Sequence, residues 1–157
     1  MRRLHKKTDY GKRLKLLKSE KPRLTFRKTN RYIISQYIES IEAKDKIVFG
    51  VTSKHLLKYG LTEKEAGSLK SITASYLTGY LIGKQIIKKK LKTPIVDSGM
   101  TRTIYGNKFY AFIKGLIDSG LGINCKEEAF PSEERIKGEH LKNKIDIEKI
   151  KLNLNKI

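Results

Sequence analysis

Residues 22–52 read PRLTFRKTNRYIISQYIESIEAKDKIVFGVT, and the pattern in them decides the fold. Leu24 and Phe26 alternate with Arg23, Thr25 and Arg27, the period of two expected of a half-buried strand whose polar face is a row of arginines. Tyr32 to Glu39 is the second predicted strand. It follows a tight turn at Thr29-Asn30 or Asn30-Arg31, where Asn tolerates a left-handed backbone. Lys46 to Thr52 is the third, with Ile47, Phe49 and Val51 on one face. Three successive strands with short links imply an antiparallel meander.

Before the meander, residues 1–10 have no apolar periodicity and read as an extended arm, and Gly11 to Leu17 can form a short helix whose Leu14, Leu16 and Leu17 are too few to bury it alone. After it, Ser68 to Leu91 has Ile72, Tyr76, Tyr80, Gly83 and Ile87 on one side and Leu77 and Leu81 on the neighbouring strip. That is a wide-faced amphipathic helix, expected to lie on the sheet, with Gly79 and Gly83 allowing close helix-to-sheet packing. Thr93-Pro94 breaks the helix, and Ile95-Val96 begins a short strand that ends in Asp97-Ser98-Gly99. A polar, basic loop from Thr101 to Asn107 leads to a second helix, Lys108 to Ser119, which Gly120 or Gly122 can end. Ser132 is the expected cap of a helix in the acidic stretch 127–141, and the tail beyond Lys142 reads as a frayed helix or disorder. The expected fold is a single α/β domain. A three-stranded meander and a further short strand pack against two main helices in ribonuclease-H-like order. Residues 1–21 form a basic arm, 22–125 the core, and 126–157 a helical extension and tail.

The 157 residues include 35 Lys and Arg against 16 Asp and Glu, a net charge of +19. A domain this basic repels itself unless a polyanion accompanies it. The surplus is local: residues 1–31 hold thirteen bases and two acids, residues 84–92 five lysines and no acid, and the remainder is nearly balanced. The run Lys88-Lys89-Lys90 ends a helix where cations suit the dipole, and is read as a solvated charge run. The N-terminal bases are interleaved with Tyr10, Phe26 and Tyr32, a combination suited to stacking as well as to phosphate contact. The single cysteine, Cys125, precludes an intramolecular disulfide and reads as an ordinary small apolar residue. His5, His55 and His140 lie too far apart for a metal motif, and no cofactor is expected. The uncharged stretch Ser71 to Gly83 is shorter than the ~20 residues of a membrane span, and no secretory signal pattern opens the chain.

A metal-dependent nuclease of the ribonuclease-H-like class is one alternative, but it needs several converging carboxylates. Asp97, Asp118 and Glu39 are the few acids near element ends, and Asp97 is better suited to fixing the Ser98-Gly99 turn. No nucleophile stands beside a base in any recognisable motif. Binding remains, and the candidate contacts fall into four groups. The arm offers Arg2, Arg3, Lys6, Lys7, Tyr10, Arg13 and Lys15. The first strand offers Arg23 and Arg27, and its turn Lys28, Thr29, Asn30 and Arg31. The later loop offers Arg102, Tyr105, Gly106, Asn107 and Lys108. Loops and aromatics without a basic recognition helix favour folded RNA over duplex DNA.

Asp9 to Leu17, Lys21 to Gln36, Ala74 to Lys84, Phe112 to Leu121 and Pro131 to His140 stand in an order that resembles the 5S-rRNA-binding family of the large ribosomal subunit, universal large-subunit protein eighteen, in its archaeal and eukaryotic form. The resemblance implies a non-enzymatic protein of the cytoplasmic ribosome. Such a protein binds 5S rRNA and seats it, with large-subunit rRNA and the neighbouring 5S-binding protein, in the central protuberance. It also implies RNA contacts from the arm, the turn at 27–31 and the loop at 101–108. Where relatives carry His-Arg-Pro-Thr-Lys-Gly, this chain has Thr101-Arg102-Thr103-Ile104-Tyr105-Gly106, keeping Arg102 and Gly106. An RNA-binding module acting outside the ribosome is a further alternative.

Overall fold

Pro22 and the alternating residues after it start the sheet. The Pro22 carbonyl accepts from the Ile95 amide (2.8 Å), while Leu24 and Phe26 point into the core and are fully buried. The computed structural model describes residues 9–61, 69–139 and 145–155. Strands β1 (Arg23–Lys28), β2 (Ile33–Ile41) and β3 (Lys44–Thr52) form the antiparallel meander, and β4 (Ile95–Asp97) joins the free side of β1 in parallel, giving the order β3-β2-β1-β4. The helices are α1 (Tyr10–Lys18), α2 (Ile72–Lys88), α3 (Lys108–Asp118), α4 (Glu133–Lys137) and α5 (Ile147–Asn155), with 3-10 segments at Ser53–Tyr59 and Glu127–Ala129. The chain is a single α/β domain, as expected.

Both hairpins differ in detail from the pattern. Thr29 closes the first, its amide and hydroxyl both meeting the Tyr32 carbonyl (2.8 and 2.9 Å), so Asn30 and Arg31 form the tip. Neither has a positive φ; the left-handed pair sits instead at Glu42 (φ 49) and Ala43 (φ 63) between β2 and β3. In β3, Tyr37 faces Phe49 and Ile38 faces Ile47, leaving Val48 as an extra residue in a bulge. The bulge resets the alternation. Ile47 therefore leaves the face that Phe49 and Val51 occupy and is 53% exposed.

Helix α2 begins later than expected, at Ile72, because Ser71 caps it by accepting from the Ala74 amide (3.1 Å). Every residue from Thr73 to Gly83 is buried, so its middle is enclosed on all sides and only its C-terminal turns are amphipathic, with Ile86 inside and Ile87 exposed. The glycines serve helix-to-helix rather than helix-to-sheet contact. A methyl at Gly79 would strike the Phe112 carbonyl, one at Gly83 the Ser119 side chain, and one at Gly115 the Tyr76 carbonyl, so α2 and α3 approach to backbone contact. Of the two readings of the tail, frayed helix or disorder, Ile147–Asn155 takes the helical one and is packed: Ile147, Ile150 and Leu154 of α5, with Ile136 of α4, join the same core cluster as the sheet. Ser132 stands at the N-cap of α4, yet its side chain accepts no cap hydrogen bond. Lys89, in the helix-end lysine cluster, sets its ammonium over the Phe49 ring (4.2 Å).

Gly79→Ala is expected to destabilise the fold by about 3 kcal/mol, since overpacking against backbone cannot relax through a rotamer. Gly122→Ala, with open space around the new methyl, should stay within about 0.5 kcal/mol. Urea unfolding of both variants checks this, and equal losses would contradict the close α2–α3 approach.

Candidate nucleic-acid interface

Helix α1 lies beside β3 and the end of β4, and Asp9 caps it through the Lys12 amide (3.1 Å). Helix α1 buries no residue, so polar contacts hold it there: Arg13 pairs with Asp45 of β3 (2.8 Å), and the Lys12 ammonium donates to Ser98 after β4. Between α1, β1, the 98–107 loop, the start of α3 and α4 lies an open groove of about 990 Å³. Eight bases line it (Lys12, Arg13, Arg23, Arg27, Lys28, Arg102, Lys108 and Arg135) against three acids (Asp9, Asp45 and Asp97).

The acids are engaged within the protein. Arg23, only 4% exposed, donates to Asp45 (2.7 Å) and pairs with Asp97 (3.6 Å), while Asp45 also accepts from Ser40 (2.7 Å) and Asp97 from the Gly99 amide (2.8 Å). Partial burial would raise the Asp45 carboxyl, but the hydrogen bonds from Ser40 and Arg23 and the charges of Arg23 and Arg13 outweigh it, holding the group below its ordinary value. The rim differs. Among the described residues Arg27, Lys28, Arg102, Lys108 and Arg135 make no ion pair. Burial, followed by the charges of Lys28 and Lys70, pushes the Lys108 ammonium below its ordinary value.

The loop carrying Arg102 is shaped by the residues around it. Asn107 caps α3, its side-chain oxygen accepting from the Phe109 and Tyr110 amides (2.8 and 3.2 Å) and its amide donating to the Arg102 carbonyl (2.7 Å). Gly106 takes φ +70, which a larger residue adopts only with strain, and its amide reaches the Ala129 carbonyl (2.9 Å).

The sequence-derived contacts therefore separate. Arg27, Lys28, Arg102 and Lys108 converge on the groove as cations without acidic partners. Arg23 is corrected: it is buried and ion-paired, because Asp45 and Asp97 meet its guanidinium on the strand's polar face, so Arg23 and Arg27 do not form an exposed row. Arg13, Thr29, Gly106 and Asn107 line the groove, but the side chains of Arg13, Thr29 and Asn107 and the backbone of Gly106 are engaged in holding elements together. Tyr10 begins α1 instead of ending an arm; it and Lys15 are exposed outside the groove lining, as are Asn30, Arg31 and Tyr105. Arg2, Arg3, Lys6 and Lys7 lie outside the described residues. Sequence reasoning missed Lys12 and Arg135. The capping spacing of Asp9 and Lys12 was a usable signal for the first, whereas Arg135 is hidden among the acids of 127–141. Asp97 lines this groove and Asp118 a separate cavity, where it accepts from the Tyr76 hydroxyl (2.6 Å), so these carboxylates do not converge on one site.

The family model described as "Ribosomal large subunit proteins 60S L5, and 50S L18" matches residues 1–94. The large ribosomal subunit protein uL18 of Korarchaeum cryptofilum is 42% identical over 140 residues, covering 89% of this chain and 70% of the relative. That of Thermoplasma acidophilum is 37% identical over 150 residues, covering 96% and 90%. The chain belongs to the uL18 family. As a uL18 protein of the archaeal type it is a component of the large ribosomal subunit, with rRNA as partner, and is not an enzyme. Among the described residues no helix of this uL18 chain is long and apolar enough to cross a membrane.

The Asp45 network makes acid stability measurable. A carboxyl held below 3.8 contributes in full above that value, and its contribution is lost as pH falls through the lower folded pKa. Asp45→Asn should lower unfolding free energy near neutral pH by about 1–2 kcal/mol, less than a fully buried pair because 27% of the Asp45 side chain is in water. Guanidinium unfolding from about pH 7 to about pH 2 should show that deficit shrinking, and a deficit constant across the range would contradict the pairing.

Proposed function

We propose that this uL18 chain binds 5S rRNA through the basic groove and helps attach it to large-subunit rRNA in the central protuberance, beside the neighbouring 5S-binding protein, in cytoplasmic ribosomes. The observation that carries this reading is the division of charge in the groove. All three acids are engaged within the fold, while Arg27, Lys28, Arg102, Lys108 and Arg135 stand on the rim with no ion pair among the described residues. Five such cations along one concave surface match the repeating charge of an RNA backbone. Arg2, Arg3, Lys6 and Lys7 would extend the same contact from residues 1–21, with Asn30 and Arg31 at the hairpin tip.

Affinity for 5S rRNA should fall linearly in log salt, and each rim base removed should flatten the slope by roughly 0.7–0.9. Arg27→Ala and Lys108→Ala are expected to do this, while Lys149→Ala, on α5 and outside the groove lining, should leave affinity and slope unchanged. Filter binding against 5S rRNA and an unrelated structured RNA of equal length is the measurement. Equal affinity for both RNAs would remove the assignment to 5S rRNA, and equal losses from all three variants would mean that bulk charge and not the groove makes the contact.

A further inference from the structure

The loop between β4 and α3 exposes three large apolar side chains close in sequence: Met100 (57%), Ile104 (62%) and Tyr105 (57%). Single exposed apolar residues are ordinary, but a cluster at the edge of a charged groove marks a contact surface. Met100 and Ile104 line the groove itself, alongside Arg102 of the same loop.

This surface is pre-formed. The Tyr105 ring meets Tyr110 at 89° (5.7 Å), Tyr110 meets Phe109 at 69° (5.6 Å), and Phe109 meets the fully buried Phe26 at 67° (5.6 Å). A run of edge contacts thus ties an exposed ring to the core. The backbone on either side is fixed as well, through Gly106 to Ala129 (2.9 Å), Asn107 to Ile104 (3.3 Å) and the Asn107 amide to Arg102 (2.7 Å). An aromatic held still while more than half exposed loses little entropy when a second flat group covers it.

We propose that Tyr105, flanked by Met100 and Ile104, is a stacking platform for one unpaired base of the bound RNA, with Arg102 and Lys108 taking the phosphates on either side. This rests on the reading of the groove as an RNA site. The charge selects the occupant. Eight bases against three acids repel a basic protein segment, and an apolar protein surface would leave the cations around the patch without partners. A base-paired nucleotide has both faces covered by its neighbours, whereas an unpaired one has a face to offer and brings phosphates with it.

The test uses the full chain and a 5S rRNA transcript carrying a fluorescent base at one unpaired position at a time, 2-aminopurine for purines and pyrrolocytosine for pyrimidines. One position should be quenched on binding by the wild type and by Tyr105→Phe, and should stay bright with Tyr105→Ser. Tyr105→Ser should weaken binding between about 5-fold and 100-fold with an unchanged salt slope, because stacking and not charge is lost. If Tyr105→Ser binds like the wild type and no position responds to it, while Arg27→Ala still flattens the slope, the platform is overturned and the RNA groove stands. If the wild type shows no preference for 5S rRNA, the underlying reading fails first. If Tyr105→Ser does not fold, Tyr105→Trp decides: retained quenching at the same position supports the platform, and its loss overturns it.

Discussion

Arg23 sits in the first core strand with 4% of its surface in water, and its charge has to be answered inside the protein. The answer comes from two elements far apart in sequence, Asp45 on β3 and Asp97 at the end of β4. Asp45 in turn takes Arg13, and so fixes a helix that buries nothing of its own. One buried cation therefore helps to order the sheet edges, to position α1 as the wall of the groove, and to engage two of the three carboxylates that line the groove. Structure and function meet at that network.

The opposite face of the sheet makes the groove's other wall possible. Helices α2 and α3 approach to backbone contact through Gly79, Gly83 and Gly115, which leaves the start of α3 at a fixed height beside β1. Asn107 and Gly106 then turn the preceding loop so that Arg102 and Lys108 join Arg27 and Lys28 on one rim. Helix α4 supplies Arg135, and it is tied to the same core by Ile136 and by the Thr73 hydroxyl, which donates to the Ile136 carbonyl (2.8 Å).

Much of this was legible in residues 22–52. The alternation of Leu24 and Phe26 with polar neighbours, and the short links between strands, suffice for a meander because period and turn chemistry are local properties. Non-local events were not legible. The Val48 bulge depends on how β3 meets β2, and the full burial of α2 depends on what covers its far side. The burial of Arg23 depends on carboxylates 22 and 74 positions away in sequence, so its polar side chain looked exposed. The tail read as a frayed helix or disorder because the isoleucines and leucines of α5 gain partners from α2 and the 3-10 segment at Ser53–Tyr59, which are distant in sequence. At the site, type and position of charge identified Arg27, Lys28, Arg102 and Lys108, since surplus cations on a turn and a loop have few structural uses. Composition could not separate them from Arg13, Arg23 and Thr29, whose polar groups resemble contacts and are instead engaged within the fold.

The central claim is that the rim cations, and not the net charge as a whole, face RNA. Acylation of lysines followed by mass spectrometry, on the free chain and on its complex with 5S rRNA, tests this most directly. Lys28 and Lys108 line the groove, whereas Lys54, Lys58 and Lys149 lie exposed on elements outside it. The account predicts that RNA protects the first pair and leaves the second group as reactive as before. Uniform protection, or protection of Lys54, Lys58 and Lys149 instead, would contradict it.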